Sequence, residues 1–203
     1  YGAHPVPQDL MNTYGVKYRF TEKWPMNMEQ IKNVFIQVIE KPARKVILKR
    51  GIQAYDYMTY CNEAGCDVWG LLTSIKSISG EPVCLWLPEQ YRPKGTSQYV
   101  QGVEVSSDYG GPVPEGFDVI QLPAASYLMF QGEPFEEEDF CQAIQMVQAA
   151  MERYDLSVIG LAPDPENPRI QLEPIGTRGY IEMIPVKQAV SSSHSHPAPA
   201  VNP

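Results

Sequence analysis

An internal repeat constrains the fold of this chain more than any other feature of its sequence. Pro42-Ala43, seven strand-like residues and Gly51 are matched 81 residues later by Pro123-Ala124, seven strand-like residues and Gly132. Solenoid repeats are typically about 20–50 residues long, so a repeat of this length indicates one duplicated structural unit. We therefore predict two similar halves rather than an extended array.

Each half is predicted to contain two strands, a helix and two further strands. In the second half, Phe140, Ile144, Val147 and Met151 recur at helical spacing. The first helix, about Thr59 to Lys76, is less regular because Gly65 and Gly70 interrupt it. The predicted strands are Val34–Ile39, 44–50, Val83–Leu87 and Tyr99–Val105 in the first half, then Phe117–Leu122, 125–131, Ile170–Glu173 and Gly179–Val186 in the second.

This order of elements predicts an α+β fold. Duplicated βαββ-type units, over about 29–106 and 115–187, would form one antiparallel sheet with helices on one face. We expect a ligand cleft between the halves, as a groove across the pseudo-twofold seam on the face that carries no helices.

The flanks of the chain are predicted to lie outside this domain. Residues 1–28 are rich in turn residues and form a lead-in segment, in which Tyr14–Phe20 could be a short strand. Residues 188–203 form a disordered tail with His194 and His196, since the tail has almost nothing to bury. The chain begins at Tyr1 rather than at a methionine, so whether a further domain precedes it stays open.

The charge of the chain argues against direct contact with nucleic acid, because its net charge of −8 repels phosphates. We interpret the basic residues between Lys41 and Arg50, which lie in a strand-like run, as a solvated face. No apolar run reaches the roughly 18–20 residues of a membrane span, and residues 1–8 do not resemble a signal peptide. The cysteines, Cys61, Cys66, Cys84 and Cys141, are too scattered for a disulfide framework or a zinc site, so we expect free thiols in the cytoplasm.

Several segments resemble the GyrI-like domains, which bind effectors behind AraC-type and MerR-type DNA-binding modules. The resemblance covers about residues 28–187, and the order of the segments carries it more than any one of them. The matching segments are Ile39–Val46, Asp67–Leu72, Tyr99–Val105, Pro114–Phe117 with Leu122–Ala124, and Gly179–Val186.

The resemblance implies that the chain is the small-molecule effector-binding domain of a bacterial transcription regulator. In this family a glutamate on the last strand pairs with cationic aromatic ligands, including drugs, in the cleft, and the matching position is Glu182. The resemblance also leaves two alternatives, a hydrolase of reactive small molecules and a gyrase-inhibitor-like module that binds a protein. The oligomeric state stays open.

Glu182 is also the leading candidate on its own chemistry, because a carboxylate between large apolar residues on a strand needs a partner. Glu104 is its expected counterpart in the first half. Aromatic rings that stack on apolar or cationic ligands are expected nearby. These candidates are Tyr127, Tyr180, Trp86, Trp69, Tyr99 and Phe130.

We predict no catalytic residue, cofactor or metal site. The three histidines, His4, His194 and His196, all lie in the flanks, which excludes a Ser-His or Cys-His nucleophile pair from the predicted domain. The turn Asp108–Pro112 lacks the pattern of a phosphate-binding loop. A hydrolase would have to use Glu182 as a lone acid or base.

Overall fold

The structure is a computed structural model that describes residues 33–65 and 67–189. It contains nine strands and three α-helices within these residues. The strands are β1 (Val34–Lys41), β2 (Arg44–Lys49), β3 (Val83–Trp86), β4 (Tyr99–Ser106), β5 (Asp118–Leu122), β6 (Ala125–Gly132), β7 (Leu161–Pro163), β8 (Arg169–Gln171) and β9 (Ile181–Gln188). The helices are α1 (Tyr57–Ala64), α2 (Val68–Thr73) and α3 (Phe140–Arg153).

All nine strands belong to one antiparallel sheet, in the order β1-β6-β9-β8-β3-β4-β2-β5, with β7 paired to β9. Exchanging β1, β2, β3 and β4 for β5, β6, β8 and β9 turns this order into its own reverse. A pseudo-twofold axis therefore passes between β3 and β8, a line that we call the seam. The predicted α+β fold and its duplication are confirmed.

Each half gives its first strand to the other half. β1 pairs along its full length with β6, and β5 pairs with β2. β1 and β2 are six places apart in the sheet, about 29 Å if it were flat, yet only Pro42 and Ala43 join them. Two linking residues span at most about 11 Å between the flanking Cα atoms. The sheet must therefore curl until its two ends meet.

The curl buries the face of the sheet that carries no helices, which we call the inner face. Its side chains pack against one another across the curl and are nearly inaccessible to solvent. They include Val46, Leu48, Val83, Leu85, Val100, Tyr127, Ile170 and Met183. The expectation of a groove on this face was wrong, because the short Pro-Ala connections close the sheet around it.

The helices cover the opposite, outer face. Val68 and Leu72 of α2 pack on Val103, and Val147 of α3 packs on Phe130. Strand alternation places Val103 and Phe130 on the same face, because a continuous row of paired residues joins β4 to β6.

The first predicted helix is two helices in the structure. Asp56 caps α1 by accepting a hydrogen bond from the Thr59 backbone N–H at 2.8 Å. Gly65 ends it with a φ of 89°, which a side chain would disfavour. The predicted break is thus real and separates α1 from α2.

The two glycines that end the repeat stand at matching places, one residue or less beyond β2 and β6. A Cβ atom on Gly51 would lie 2.5 Å from the Glu63 carboxylate, and one on Gly132 would lie 3.1 Å from Val147 Cγ2. The carboxylate of Glu63 accepts backbone N–H groups of residues 52–54 in this space. The glycines of the repeat therefore give α1 and α3 room to approach the sheet.

The predicted lead-in segment and nearly all of the predicted tail lie outside the described residues, as do Tyr14–Phe20, Cys66 and the three histidines. The short strand β7 was not predicted from the sequence. Among residues 33–65 and 67–189, no helix is long and apolar enough to cross a membrane.

Candidate functional site

A row of polar side chains crosses the seam on the outer face. Gln101 of β4 pairs with Cys84 of β3, Cys84 with Gln171 of β8, and Gln171 with Glu182 of β9. Directly paired residues in antiparallel strands point to the same side of the sheet. Since Glu182 is the only charged member, the row is polar at the first half and anionic at the second.

Glu182 is completely buried, with a side-chain exposure of 0%. Its carboxylate accepts hydrogen bonds from the Tyr180 hydroxyl at 2.7 Å and from Gln148 Nε2 of α3 at 3.3 Å. It also accepts one from Arg169 Nε, which makes an ion pair. A buried carboxylate is stable only when it is paired and hydrogen-bonded in this way.

Arg169 connects this carboxylate to an aromatic group. Its guanidinium carbon lies 4.6 Å from the centroid of the Trp86 ring, within the range of a cation–π contact. Trp86 also packs edge-to-face with Tyr99 at 4.9 Å and donates its indole N–H to the Tyr55 carbonyl at 2.9 Å. We call Glu182, Tyr180, Gln148, Arg169 and Trp86 the seam cluster.

A cavity of about 310 Å³ opens beside the seam cluster, at the end of β3 and β8. Trp86 and Arg169 line it together with Asn167 and Pro185, whereas Glu182 does not. Its volume is at the lower end of the range for small-molecule sites. The buried Oδ1 atom of Asn167 has no hydrogen-bond partner among the described residues, so this cavity wall contains an unused acceptor.

Burial keeps the polar groups of this region in their protonated forms. It raises the pKa of Tyr180 well above its ordinary value, and the neighbouring Glu182 raises it further. Burial likewise raises the pKa of Tyr99, and it raises that of the Cys84 thiol to about 12. Tyr180 is therefore a hydrogen-bond donor to Glu182 at physiological pH, and Cys84 is not a thiolate nucleophile.

Glu104 and Tyr127 lie on the inner face, away from the seam cluster. The Glu104 carboxylate pairs with Lys41 Nζ and Arg44 Nε, each at 2.5 Å. Arg44 also donates to the Tyr127 hydroxyl at 3.1 Å and to the Pro42 and Pro123 carbonyls. These bonds join the two Pro-Ala connections inside the curl. The interpretation of the basic run as a solvated face was therefore wrong for the buried Arg44.

Burial by itself would raise the pKa of Glu104. The charges of Lys41 and Arg44 and their hydrogen bonds outweigh that effect and hold the pKa below its ordinary value. Glu104 is thus ionised and fully paired within the fold.

The counterpart of Glu182 in the first half is Gln101, not Glu104. Gln101 and Glu182 stand at matching positions, since their partners across the strands, Cys84 and Gln171, pair with each other across the seam. Along the chain they are 81 residues apart, as are the Pro-Ala pairs. Aligning Glu104 with Glu182 uses an offset of 78, which shifts the register and places Glu104 on the opposite face.

The remaining predicted aromatic residues are part of the packing on the outer face. Tyr99 is buried against Trp86 and Tyr60. Phe130 is buried beneath α3 and packs edge-to-face with Tyr154 at 5.6 Å. Trp69 on α2 is half-buried against the core. The structure thus brings Glu182, Tyr180, Trp86 and Tyr99 to one region, and it places Phe130 and Trp69 under or on the helices.

Sequence reasoning missed Arg169 and Gln148. Gln148 follows Ile144 by four residues, so it is a polar residue on the apolar stripe of α3, a pattern that predicts a buried polar contact. Arg169 immediately precedes the predicted strand that begins at Ile170, and only its register with Trp86 reveals its position. Within residues 33–65 and 67–189, no three His, Cys, Asp or Glu side chains are grouped as a metal site requires.

Comparison with known proteins relates the chain to others through structure alone. No protein-family profile and no curated protein sequence matches it significantly. The structure of SAV2435 bound to tetraphenylphosphonium has a TM-score of 0.51 and 16% identity, over 80% of this chain and 99% of that chain. A bacterial transcription regulation protein from Staphylococcus aureus MU50 has a TM-score of 0.46 and 14% identity, over 75% of this chain and 98% of that one.

The C-terminal domain of EcmrR has a TM-score of 0.42 and 16% identity, over 79% of this chain and the whole of that domain. At these identities the similarity concerns the fold. The chain therefore shares the fold of SAV2435, and the resemblance to GyrI-like domains is confirmed at that level.

Proposed function

We propose that the chain binds a small apolar or cationic molecule at the seam cluster and acts as the effector-binding domain of a bacterial transcription regulator. The observation that carries the proposal is the buried Glu182 carboxylate on the outer face, between α3 and the helices of the first half. It is surrounded by an aromatic ring, a tyrosine hydroxyl and a cavity large enough for part of a small ligand.

The chemistry of the cluster supports a ligand with a flat, apolar surface. Trp86 is half-buried and forms part of the cavity wall, so one face of the cavity is aromatic. Aromatic walls bind apolar groups through area and bind cations through the ring face. Glu182 lies behind that wall and supplies the only negative charge of the polar row.

The position of the cluster supports a regulatory role. Its members come from both halves, with Trp86 on β3 and the others on β8, β9 and α3. A ligand that contacts both halves can shift their relative arrangement, and a domain attached to one half would experience that shift. The buried Cys84 and half-buried Cys141 thiols are consistent with the reducing conditions of the cytoplasm, which we include in the proposal.

The first probe to test is tetraphenylphosphonium, the molecule bound in the SAV2435 structure of the same fold. Triphenylphosphine oxide serves as a neutral aromatic comparison. We expect both to stabilise the protein in a saturable way, by about 2.7 kcal/mol at 100 times the dissociation constant. Isothermal titration calorimetry then gives each affinity directly.

The decisive variant is Glu182→Gln, which keeps the shape of the side chain and removes its charge. We expect it to weaken tetraphenylphosphonium binding by at least about tenfold, or about 1.4 kcal/mol. Binding of the neutral comparison should change by less than about threefold, because it makes no use of the charge.

The matched control is Glu40→Gln, which removes one exposed carboxylate on β1 and should leave both affinities unchanged. Equal losses for the cation and the neutral molecule in Glu182→Gln would contradict the pairing role of Glu182. The absence of saturable binding of either probe to the unmodified chain would contradict small-molecule binding at this cluster.

A further inference from the structure

Arg169 already makes the two contacts that a cationic aromatic ligand would make in the seam cluster. Its guanidinium stacks on the Trp86 ring and its Nε donates to the Glu182 carboxylate. A positive charge against an aromatic face and beside a buried carboxylate is the arrangement that binds organic cations. The cluster as folded therefore has its cation position filled by a residue of the chain itself.

Arg169 also separates Glu182 from solvent. The Glu182 side chain has no exposed surface, whereas that of Arg169 is 38% exposed and lines the cavity. A molecule that enters the cavity meets the guanidinium first. Moving this side chain away would join the cavity to the Glu182 carboxylate.

The backbone would not prevent such a movement. Arg169 is the first residue of β8, and its main chain pairs with Trp86 across the seam. Its side chain forms an ion pair only with Glu182 among the described residues. The side chain can therefore rotate towards solvent while β8 stays in register.

We propose that Arg169 is an internal cation that competes with incoming cationic ligands and thereby determines the charge selectivity of the site. The proposal rests on the proposed function, because it assigns a role to Arg169 within the same cluster. A cationic ligand must displace the guanidinium before it can pair with Glu182. A neutral ligand can occupy the cavity against Trp86 while the Arg169–Glu182 pair stays intact.

The test compares substitutions of Arg169 by titration calorimetry with tetraphenylphosphonium and triphenylphosphine oxide. Arg169→Met keeps an apolar chain of similar length against Trp86, and Arg169→Gln keeps a hydrogen-bond donor for Glu182 should Arg169→Met fold poorly. Both are expected to bind tetraphenylphosphonium at least about tenfold more tightly than the unmodified chain. Affinity for triphenylphosphine oxide should stay within about threefold.

Two further variants separate this role from a general effect of removing a cation. Arg169→Lys retains the positive charge and should restore weak cation binding, close to that of the unmodified chain. Arg178→Gln removes another partly buried arginine, paired with Glu81 away from the cluster, and should change neither affinity. Native far-UV and near-UV circular dichroism confirms folding before each titration.

A second measurement does not depend on either aromatic probe. Arg169→Ala should open a space that ethylguanidinium fills at millimolar concentration, seen as a saturable rise in Tm that the unmodified chain lacks. The proposal is overturned if folded Arg169→Gln and Arg169→Met bind tetraphenylphosphonium no more tightly and Arg169→Ala gains no response to ethylguanidinium. If no variant binds either aromatic probe but Arg169→Ala responds to ethylguanidinium, the proposed function fails while the assignment of the cation position stands.

Discussion

Two glutamates of this chain, Glu104 and Glu182, are both completely buried and both paired with arginine, but they have different surroundings. Glu104 lies inside the curled sheet with two cations, and its arginine is as buried as itself. Glu182 lies on the outer face, and its arginine reaches a cavity and solvent. The first pair is thus a permanent part of the fold, whereas the partner of the second can be exchanged.

The pKa of Glu104 leads to a prediction for the pH dependence of stability. Since its pKa is lower in the folded than in the unfolded chain, its ionised form stabilises the fold above the ordinary value of 4.5. That contribution is lost as pH falls from about 5 through the lower pKa of the folded state. Urea unfolding of Glu104→Gln should show a weaker dependence on pH in this range than the unmodified chain.

At neutral pH, Glu104→Gln should also lower the free energy of unfolding by about 3–5 kcal/mol, because it leaves buried cations without their counter-charge. Glu115→Gln, at an exposed position, is the control and should keep the original pH profile. An unchanged pH profile in Glu104→Gln would show that other carboxylates determine the acid sensitivity of the fold.

At the scale of secondary structure, the sequence predicted which elements form but not how they pair. Periodicity and turn residues gave the eight longer predicted strands and α3 within a few residues, because these signals are local. The register between distant strands has no such local signal. Glu104 and Tyr127 were therefore predicted beside Glu182, although alternation along β4 and β6 places both of them on the inner face.

The role of Arg169 was beyond prediction for the same reason. Its stacking partner Trp86 is 83 residues away in the sequence and becomes its neighbour only through the pairing of β3 with β8. The curl of the sheet likewise follows from the exchange of first strands, which the sequence does not reveal. The Pro-Ala connections and the glycines of the repeat were visible, but their shared consequence was not.

The approach of β9 to β6 depends on a glycine, and this gives a prediction at the same scale. Gly179 has a φ of 85°, and a Cβ atom there would lie 2.1 Å from the Gly132 carbonyl oxygen. Gly179→Ala should lower the free energy of unfolding by about 3 kcal/mol or more, as measured by urea denaturation.

Gly80→Ala separates the two contributions to that loss. Gly80 has a similar φ of 88° but open space around it, so its substitution should cost only the conformational term of about 1–2 kcal/mol. Equal losses at the two positions would mean that the contact with Gly132 is relieved by movement of the backbone.

For the whole molecule, the exchange of first strands makes the two halves interdependent. Eight residue pairs join β1 to β6, and five join β2 to β5. Only the loop of residues 107–117 connects the halves along the chain. Most of the interaction between the halves is therefore independent of their covalent connection.

A protease site inserted between Gly110 and Gly111, both exposed, tests this interdependence. After cleavage, the two fragments should elute together from a gel-filtration column and separate only in denaturant. Stability should fall and become dependent on concentration, because unfolding now releases two chains. Fragments that separate in native buffer would show that the loop, rather than the exchanged strands, holds the halves together.

The row Gln101-Cys84-Gln171-Glu182 also has an evolutionary meaning. Two identical halves related by an exact twofold axis would carry two identical carboxylates, one at each end of this row. Once duplicated halves share a single gene, each position can diverge by itself, and here one end carries an amide and the other an acid. The near-symmetric scaffold thus carries a polar axis across its seam, and a singly charged molecule bound there has one preferred orientation.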